Sequence, residues 1–263
     1  MAANWLDGYY EALKFFYWEP QHIGRKKDVA SPVINLEKVM KHLRSMEVTL
    51  NHNINQFLLL APIALRARLF YEFFRRTFDS EFEMHGLGVD TDFVSGNSVQ
   101  PDFLFVSSGD VISIEMKTKA KSNIDQVLKY ALLGLAVEIK LGSPRRHHLG
   151  FLGMRDFSKQ WKERFASPAE LRVALDKADM SMFLKNKGVT FVAQQQRFEA
   201  IVAELEVSFL SYRDFAELLK SESPQPSDMS PAAEVYRNLI SGLLSEFERR
   251  GLCPITTGSV NKS

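Results

Sequence analysis

The stretch that decides the fold is PDFLFVSSGDVISIEMK, from Pro101 to Lys117. Two short apolar segments, PDFLFV and VISIEMKT, flank a polar run, SSGD, that is typical of a tight turn. In the second segment apolar and polar residues alternate, as they do in a half-buried strand. The sequence therefore predicts two adjacent strands, with Glu115 and Lys117 side by side on one face of the second.

Two carboxylates and a lysine at this position provide the chemistry for hydrolysis of a phosphodiester bond. Asp102 begins the first strand and is expected to reach the same spot as Glu115. Carboxylate oxygens bind Mg²⁺, and Mn²⁺ can substitute; the cation polarises the phosphate and lowers the pKa of a bound water. Lys117 would orient or deprotonate that water, or neutralise charge on the phosphate. The backbone carbonyl of Met116 is a candidate third oxygen ligand.

The pair Pro101-Asp102 followed by Glu115-Met116-Lys117 resembles the signature of the PD-(D/E)XK nuclease superfamily. The resemblance implies an α/β fold of the restriction-endonuclease-like type, with a mixed central sheet flanked by helices. Here N-terminal and C-terminal helices would be added to that core. It also implies metal-dependent cleavage of DNA, with Asp102 and Glu115 as metal ligands and Lys117 as a catalytic residue.

A helix is predicted from about Ser122, its expected N-cap, to Leu141, because apolar residues recur there at helical spacing. Gln126 and Tyr130 share one face of this helix. The pattern Q-x-x-x-Y, directly after the E-x-K strand, resembles the additional motif of RecB-type exonucleases. That resemblance implies that the pair lies beside the metal and contacts the DNA backbone. Alternatively, Gln126 is a solvated helix residue and Tyr130 a boundary aromatic.

Three further residues are candidates for the same site. Glu72 lies on a helix predicted from about Pro62 to Phe78, ahead of the first strand. Many members of the superfamily carry a glutamate there that points at the metal, which implies that Glu72 is a fourth catalytic and metal-binding residue. The alternative is a helix ion pair with Arg68 or Arg76. Lys119 and Lys121 follow the E-x-K strand and would bind flanking phosphates.

The remaining pattern extends the α/β order. A first strand is predicted at 81–86, where Glu81 and Glu83 are weaker alternatives to Glu72. Later strands are predicted at 145–154, 189–193 and 206–211, and helices at 157–165, 168–186, 198–204 and 212–220. His147 and His148 are adjacent in a strand, so they point to opposite faces and are poor joint metal ligands. A solvated strand entrance is favoured for them over phosphate binding.

Three segments are predicted along the chain: an N-terminal helical region (1–60), the nuclease core (61–222), and a linker, amphipathic helix and tail (223–263). The first region carries an aromatic helix from Asn4 to Trp18 and a second helix starting near Asn35. Packing is favoured over base stacking for these aromatics. The N- and C-terminal helices are candidate surfaces for a homodimer or a partner protein, and folding back on the chain is the alternative.

Composition sets limits on the class of protein. The chain has 263 residues, a net charge of +1, 45% hydrophobic residues and 25% charged residues, as expected for a globular protein. Its single cysteine, Cys253, excludes an internal disulfide and a four-cysteine metal site, and favours the cytoplasm. The longest apolar run, Phe57–Leu65, is too short to span a bilayer, so no membrane partner is expected.

These observations predict a Mg²⁺-dependent deoxyribonuclease that binds DNA through local basic segments despite its near-neutral charge. Restriction, phage defence, repair and mobile elements are all compatible roles. A structure-specific nuclease, and a subunit that is active only in a complex, are alternative readings of the same motifs. A non-catalytic DNA-binding or scaffold module is disfavoured, because clustered carboxylates and a buried lysine are costly to keep without a use.

Overall fold

The computed structural model describes residues 4–18, 41, 46–85, 101–118, 121–154, 156–185 and 194–253. The chain divides into two compact units. The helical unit comprises Met1–Ala61 together with Ala216–Ser263, and the sheet unit comprises Pro62–Phe215. The N-terminal and C-terminal segments, which the sequence suggested as separate regions, therefore belong to one unit.

The helices alternate with strands only in the central part of the chain. In chain order they are α1 Trp5–Trp18, α2 Glu47–Leu60, α3 Ile63–Phe74, α4 Ile124–Leu141, α5 Phe157–Gln160, α6 Pro168–Leu175, α7 Met180–Lys185, α8 Gln195–Glu204, α9 Tyr212–Ser221 and α10 Pro231–Arg249. None of the helices in the described ranges combines the length and the apolar character needed to cross a bilayer.

The sheet unit is built on one five-stranded sheet in the order β1-β2-β3-β4-β5. The strands are β1 Glu83–His85, β2 Phe103–Val106, β3 Asp110–Lys117, β4 Arg146–Gly153 and β5 Glu206–Ser211. Pairing is antiparallel from β1 to β3 and parallel from β3 to β5. The predicted α/β class, with a mixed sheet and flanking helices, is confirmed.

The β2–β3 hairpin closes through the serine-rich turn. Ser107 N donates to Asp110 O at 2.9 Å, so Ser108 and Gly109 form a two-residue loop. The Ser107 hydroxyl also accepts hydrogen bonds from the backbone amides of Gly109 and Asp110, at 3.4 and 3.0 Å. Away from the turn, the pairing of the two strands continues as far as Phe103, which lies opposite Ile114. The beginning of β2 therefore lies beside the end of β3.

Helices cover the sheet on both faces. On one face, α3 packs closely: Phe73 lies over Gly150, and the ring of Phe74 lies 5.3 Å from that of His148. On the other face, α4 lies over β4, where Glu138 accepts a hydrogen bond from the ring of His147 at 2.8 Å. Adjacent strand residues thus face opposite helices. Glu115 faces α4, because side chains of that helix bind its carboxylate.

Several element boundaries differ from the sequence prediction for local reasons. Helix α3 ends at Phe74 instead of Phe78 because Arg75 adopts a left-handed conformation, with φ of 52°. Asn123 caps α4 in place of Ser122, and its side chain accepts from Gln126 N at 2.8 Å. The helix predicted at 157–165 is only the short α5, and the one predicted at 168–186 is split into α6 and α7.

The sequence prediction missed α2 and reached beyond the described residues elsewhere. Helix α2 places Asn51, Asn53 and Asn55 in buried positions, and Asn55 Nδ2 donates to Asn51 O at 3.1 Å. Buried asparagines interrupt the apolar periodicity on which the prediction depended. The short strand predicted at 189–193 and most of the helix expected after Asn35 lie outside the described residues.

In the helical unit, the first and last described helices pack against each other. The Tyr10 hydroxyl donates to Glu246 Oε1 at 2.5 Å, and Arg250 Nε donates to the same oxygen at 2.6 Å. Trp5 Nε1 donates to Leu239 O at 3.2 Å. These contacts hold α10 against α1, and Ile240, Leu243 and Phe247 of its apolar face are buried. They also show that Trp5 and Tyr10 act in packing.

Substituting Gly150 by alanine is expected to destabilise the sheet unit by about 1–3 kcal/mol, because α3 approaches β4 too closely for a methyl group. A Cβ at Gly150 would lie 2.8 Å from two atoms of the buried Phe73 ring. Urea denaturation measures the effect. Gly109→Ala is the control, since a Cβ there meets nothing within 4 Å, and its stability should change by less than about 0.5 kcal/mol.

Candidate metal and phosphate site at the sheet edge

The residues singled out by the sequence meet where β2 begins and β3 ends. Asp102 directly precedes β2, and the pairing of Phe103 with Ile114 brings Asp102 level with Glu115. Glu115 and Lys117 lie near the C-terminal end of β3, on the face covered by α4. The hairpin thus brings the three predicted catalytic side chains to one edge of the sheet.

The Glu115 carboxylate is the centre of the cluster. It is buried, with 6% of the residue exposed. Lys117 Nζ and Gln126 Nε2 donate to Oε1, and the Tyr130 hydroxyl donates to Oε2. Both residues of the Q-x-x-x-Y pattern are therefore in direct contact with the glutamate of the E-x-K pattern. The alternative reading, a solvated glutamine and a boundary tyrosine, is wrong.

Tyr130 interacts with both acidic residues of the site. Burial raises its pKa well above the usual value, and the negative charges of Glu115 and Asp102 raise the pKa further. A backbone hydrogen bond from Asp102 opposes these effects without overcoming them. The phenol therefore keeps its proton at any physiological pH. Tyr130 is a fixed hydrogen-bond donor to the Glu115 carboxylate, and it lies within the electrostatic reach of Asp102.

The proline before Asp102 has a specific structural consequence for Met116. Hydrogen-bonded pairs recur at every second residue of an antiparallel ladder. The series that starts at Ser107–Asp110 continues along the two strands to Phe103–Ile114, and its following member would pair Pro101 with Met116. Proline has no N–H to donate to the Met116 carbonyl. The Met116 amide instead donates to Asp102 Oδ2 at 2.6 Å. Because the N–H and C=O of a strand residue point to the same side, the carbonyl oxygen lies on the Asp102 side of β3.

The donor set suits a hard divalent cation. Asp102, Glu115 and the Met116 carbonyl offer oxygen ligands alone, which Mg²⁺ prefers. Within the described ranges, no three His, Cys, Asp or Glu side chains are arranged to hold a metal. Two carboxylates still fit Mg²⁺, which keeps several waters and completes its shell with substrate phosphates. The residues present are therefore compatible with Mg²⁺ and offer no sulfur or imidazole ligands at this edge.

The other predicted site residues are not in contact with the Glu115 cluster in the described part of the chain. Glu72 pairs with Arg75 Nη1 at 2.5 Å, and it lies on α3, across the sheet from the face of Glu115. Its partner is thus Arg75, not the predicted Arg68 or Arg76, and its role as a metal ligand stays a prediction. Glu83 pairs with Val106, at the far end of β2 from Asp102. Lys119 lies outside the described residues.

Lys121 is exposed, and its Nζ donates to the backbone carbonyl of Lys159 at 2.6 Å. Ser122, which follows it, is buried and bonded to Gln160. The segment that leads from β3 into α4 is therefore attached to the turn that follows β4. This attachment had no local signal in the sequence.

The expectation that His147 and His148 form a solvated strand entrance is wrong. Only 5% of His147 and 4% of His148 are exposed, and they face opposite sides of the sheet, as the strand alternation predicted. His148 bridges Asp110 and Glu206, with both nitrogen–oxygen distances at 2.9 Å. Burial lowers the pKa of both histidines, although the neighbouring carboxylates oppose this.

Most partners of this histidine pair escaped sequence analysis because they are distant in the chain: Asp110 and Glu206 lie 38 and 58 residues from His148. Glu138 binds His147 and also Arg197 on α8. Both histidine clusters lie where the parallel strands begin, at the opposite end of β3 from Lys117. They belong to the folded core and leave the Glu115 edge as the candidate functional site.

Comparison of the chain with known protein families, with curated proteins and with solved structures found no match.

Proposed function

We propose that this protein is a metal-dependent deoxyribonuclease of the PD-(D/E)XK type. The observation that carries the proposal is the hydrogen bonding of Glu115. Lys117 from its own strand and both Gln126 and Tyr130 from the following helix converge on this carboxylate. The E-x-K and Q-x-x-x-Y motifs, which are separate in the sequence, thus form one cluster, and Asp102 lies within the electrostatic reach of Tyr130.

The order of elements supports the same assignment. A helix, three antiparallel strands, a helix and a parallel strand follow one another as α3-β1-β2-β3-α4-β4. This is the order that the restriction-endonuclease-like resemblance implies. The role of Asp102 and Glu115 as ligands also agrees with their neighbouring positions on β2 and β3, where the register brings the two residues level.

In the proposed reaction, Asp102, Glu115 and the Met116 carbonyl would hold Mg²⁺, which would supply Lewis-acid polarisation of the phosphate and a more acidic bound water. Lys117 lies next to these residues, where its ammonium would orient the water and stabilise negative charge on the phosphate. Tyr130 and Gln126 fix the Glu115 carboxylate by hydrogen bonds, which pre-organises the ligand before the substrate arrives.

The test is incubation of plasmid, linear duplex and single-stranded DNA with the purified chain and Mg²⁺ or Mn²⁺. We expect cleavage that requires the metal and that is lost in Asp102→Ala and Lys117→Ala. Lys140→Ala, at the far end of α4, is the control and should cut as the wild type does. Cleavage that persists in both variants would overturn the assignment of the site. Folded wild type that cuts no DNA form would favour the subunit or scaffold alternative.

A further inference from the structure

The turn that follows β4 lies next to the Glu115 cluster. Gly153, the last residue of β4, pairs with Lys117 in the parallel ladder, which places the two strands about 4.8 Å apart at this point. A Cβ at Gly153 would lie 3.1 Å from Gln160 Oε1. Gln160 therefore folds back over the end of β4. The chain from Asp156 to Phe165, called the β4 turn below, borders the candidate active site.

Hydrogen bonds fix the β4 turn to the start of α4. Ser122 N donates to Gln160 O at 3.1 Å, and Gln160 Nε2 donates to Ser122 Oγ at 2.9 Å. Lys121 Nζ adds a third bond, to Lys159 O. Because α4 also supplies Gln126 and Tyr130, the β4 turn and the Glu115 cluster share one support.

A buried tryptophan anchors the same turn in the core. Trp161 is 1% exposed, and its ring lies edge-on to Phe151 of β4 at 5.4 Å. Phe157 lies against the other side of the indole at 5.9 Å. The turn is therefore held in one conformation by packing as well as by hydrogen bonds. The backbone positions of the charged residues in the turn are therefore fixed.

Backbone strain accompanies the exposed charges. Lys162 and Glu163 have φ values of 55° and 60°, a left-handed conformation that costs about 1–3 kcal/mol for a residue other than glycine. A helix was predicted through this segment, and the two residues stop it after α5. Lys159, Lys162, Glu163 and Arg164 are exposed. Strained, non-glycine turns of this kind are concentrated at functional sites.

We propose that Lys121, Lys159, Lys162 and Arg164 bind the phosphate backbone of DNA beside the scissile bond. The inference rests on the proposed nuclease function and adds a binding surface to it. Four cationic groups lie on two segments that are tied together at the edge of the active site. Lysine contacts to phosphate position a nucleic acid without reading its sequence.

The two carboxylates in the β4 turn reduce this charge without cancelling it. The Asp156 side chain is engaged as a cap, since its Oδ1 accepts from Ser158 Oγ at 2.7 Å and from Lys159 N at 2.9 Å. These bonds lower the pKa of Asp156, the Lys159 amide contributing most. Glu163 is exposed and is the one further acidic residue of the turn. The four cations, counted with Lys121, outnumber the two carboxylates and leave this surface with a net charge of +2.

The experiment compares two triple variants that lose the same charge. One carries Lys159→Gln, Lys162→Gln and Arg164→Gln; the control carries Lys140→Gln, Lys177→Gln and Lys220→Gln. Binding of a fluorescent DNA duplex is followed by anisotropy across a salt series, without divalent cation, so that no strand is cut. We expect the turn variant to bind at least about tenfold more weakly, and its salt slope to fall by about 1 per lost contact.

The outcomes separate this inference from the nuclease proposal. A turn variant that binds like the control overturns the inference, whether or not the chain cuts DNA. Loss of binding in the turn variant, with a wild type that cuts nothing in any metal, supports the surface and removes the nuclease function. A wild type that binds no duplex at low salt overturns the inference as well. If the triple variant misfolds, Arg164→Gln alone carries the test, because it leaves both left-handed residues intact.

Discussion

Glu115→Gln is expected to slow single-turnover DNA cleavage by at least about 1,000-fold, since losing about 4 kcal/mol of transition-state stabilisation has that effect. Glutamine has nearly the shape of glutamate but lacks the charge that would hold the cation. It also turns an amide group towards Gln126 and Tyr130, which both donate to the native carboxylate. The substitution therefore disturbs the metal ligand and the hydrogen bonds that orient it.

The expected loss has a second readout that does not depend on turnover. Mn²⁺ binding can be followed by calorimetry or by the electron paramagnetic resonance signal of free Mn²⁺. The affinity should weaken by at least about tenfold, because loss of residues that only support a metal ligand already weakens metal binding by that factor. A variant that binds Mn²⁺ and cuts DNA like the wild type would show that Glu115 is a structural residue.

Glu138→Gln is the matched control for this substitution. Glu138 is a buried carboxylate with 6% exposure, like Glu115, and it also lies between α4 and the sheet. It is at the opposite end of α4, beside His147 and away from Lys117. We expect this variant to keep its cleavage rate at a temperature where it is folded. A comparable loss of cleavage in both variants would attribute the effect of Glu115→Gln to general damage of the core.

The candidate site could be predicted from the sequence because its signals are local. Strand alternation put Glu115 and Lys117 on one face, and helical spacing put Gln126 and Tyr130 on one face. A tight turn brought the two strands together. Each step spans only a few residues, so short-range rules sufficed. The sequence could not show that Gln126 and Tyr130 both bind the Glu115 carboxylate, because that contact depends on how α4 lies on the sheet.

The features that were missed depend on long-range contacts or on strain. Arg197 reaches Glu138 from α8, and no pattern in either segment indicates this pairing. Without it, His147 and His148 look like polar residues at a strand entrance. At Lys162, buried Trp161 and the bonds of Gln160 impose a left-handed backbone that local helix propensity opposes. Tertiary packing overrides local preference at such places.

The cluster around Glu138 is expected to stabilise the sheet unit through the charge of its buried carboxylate. Burial raises the pKa of Glu138, but the side chain of Arg197, the backbone amide of Arg145 and the ring of His147 all donate to the carboxylate. Together they outweigh burial and lower its pKa from 4.5 to about 2. The folded state therefore favours the charged form of this carboxyl group.

Removing that charge leaves its partners without an acceptor. Arg197 donates to both carboxylate oxygens, Nε to Oε2 at 2.8 Å and Nη2 to Oε1 at 2.6 Å. A glutamine can replace one oxygen only, and its amide would face a donor. Breaking a buried ion pair from one side costs about 3–5 kcal/mol, so Glu138→Gln should lower the free energy of unfolding of the sheet unit by that amount at pH 7.

Urea denaturation followed by Trp161 fluorescence measures this loss. The chain has three tryptophans, so a background with Trp5→Phe and Trp18→Phe limits the signal to the sheet unit. Glu199→Gln, an exposed glutamate on the same helix as Arg197, is the control and should change the stability by less than about 0.5 kcal/mol. If Glu138→Gln also changes the free energy of unfolding by less than about 0.5 kcal/mol, the buried network around Glu138 does not stabilise the fold.

The pH dependence gives the same expectation an independent check. A carboxyl group whose pKa is lowered on folding stabilises the folded state above its unfolded pKa, and loses that contribution as the pH falls towards its folded pKa. For Glu138 this window runs from 4.5 down to about 2. The stability difference between wild type and Glu138→Gln should thus be largest near pH 7 and shrink once the pH falls below 4.5. A difference that stays constant through that window would mean that lost packing, and not the charge of Glu138, accounts for the effect.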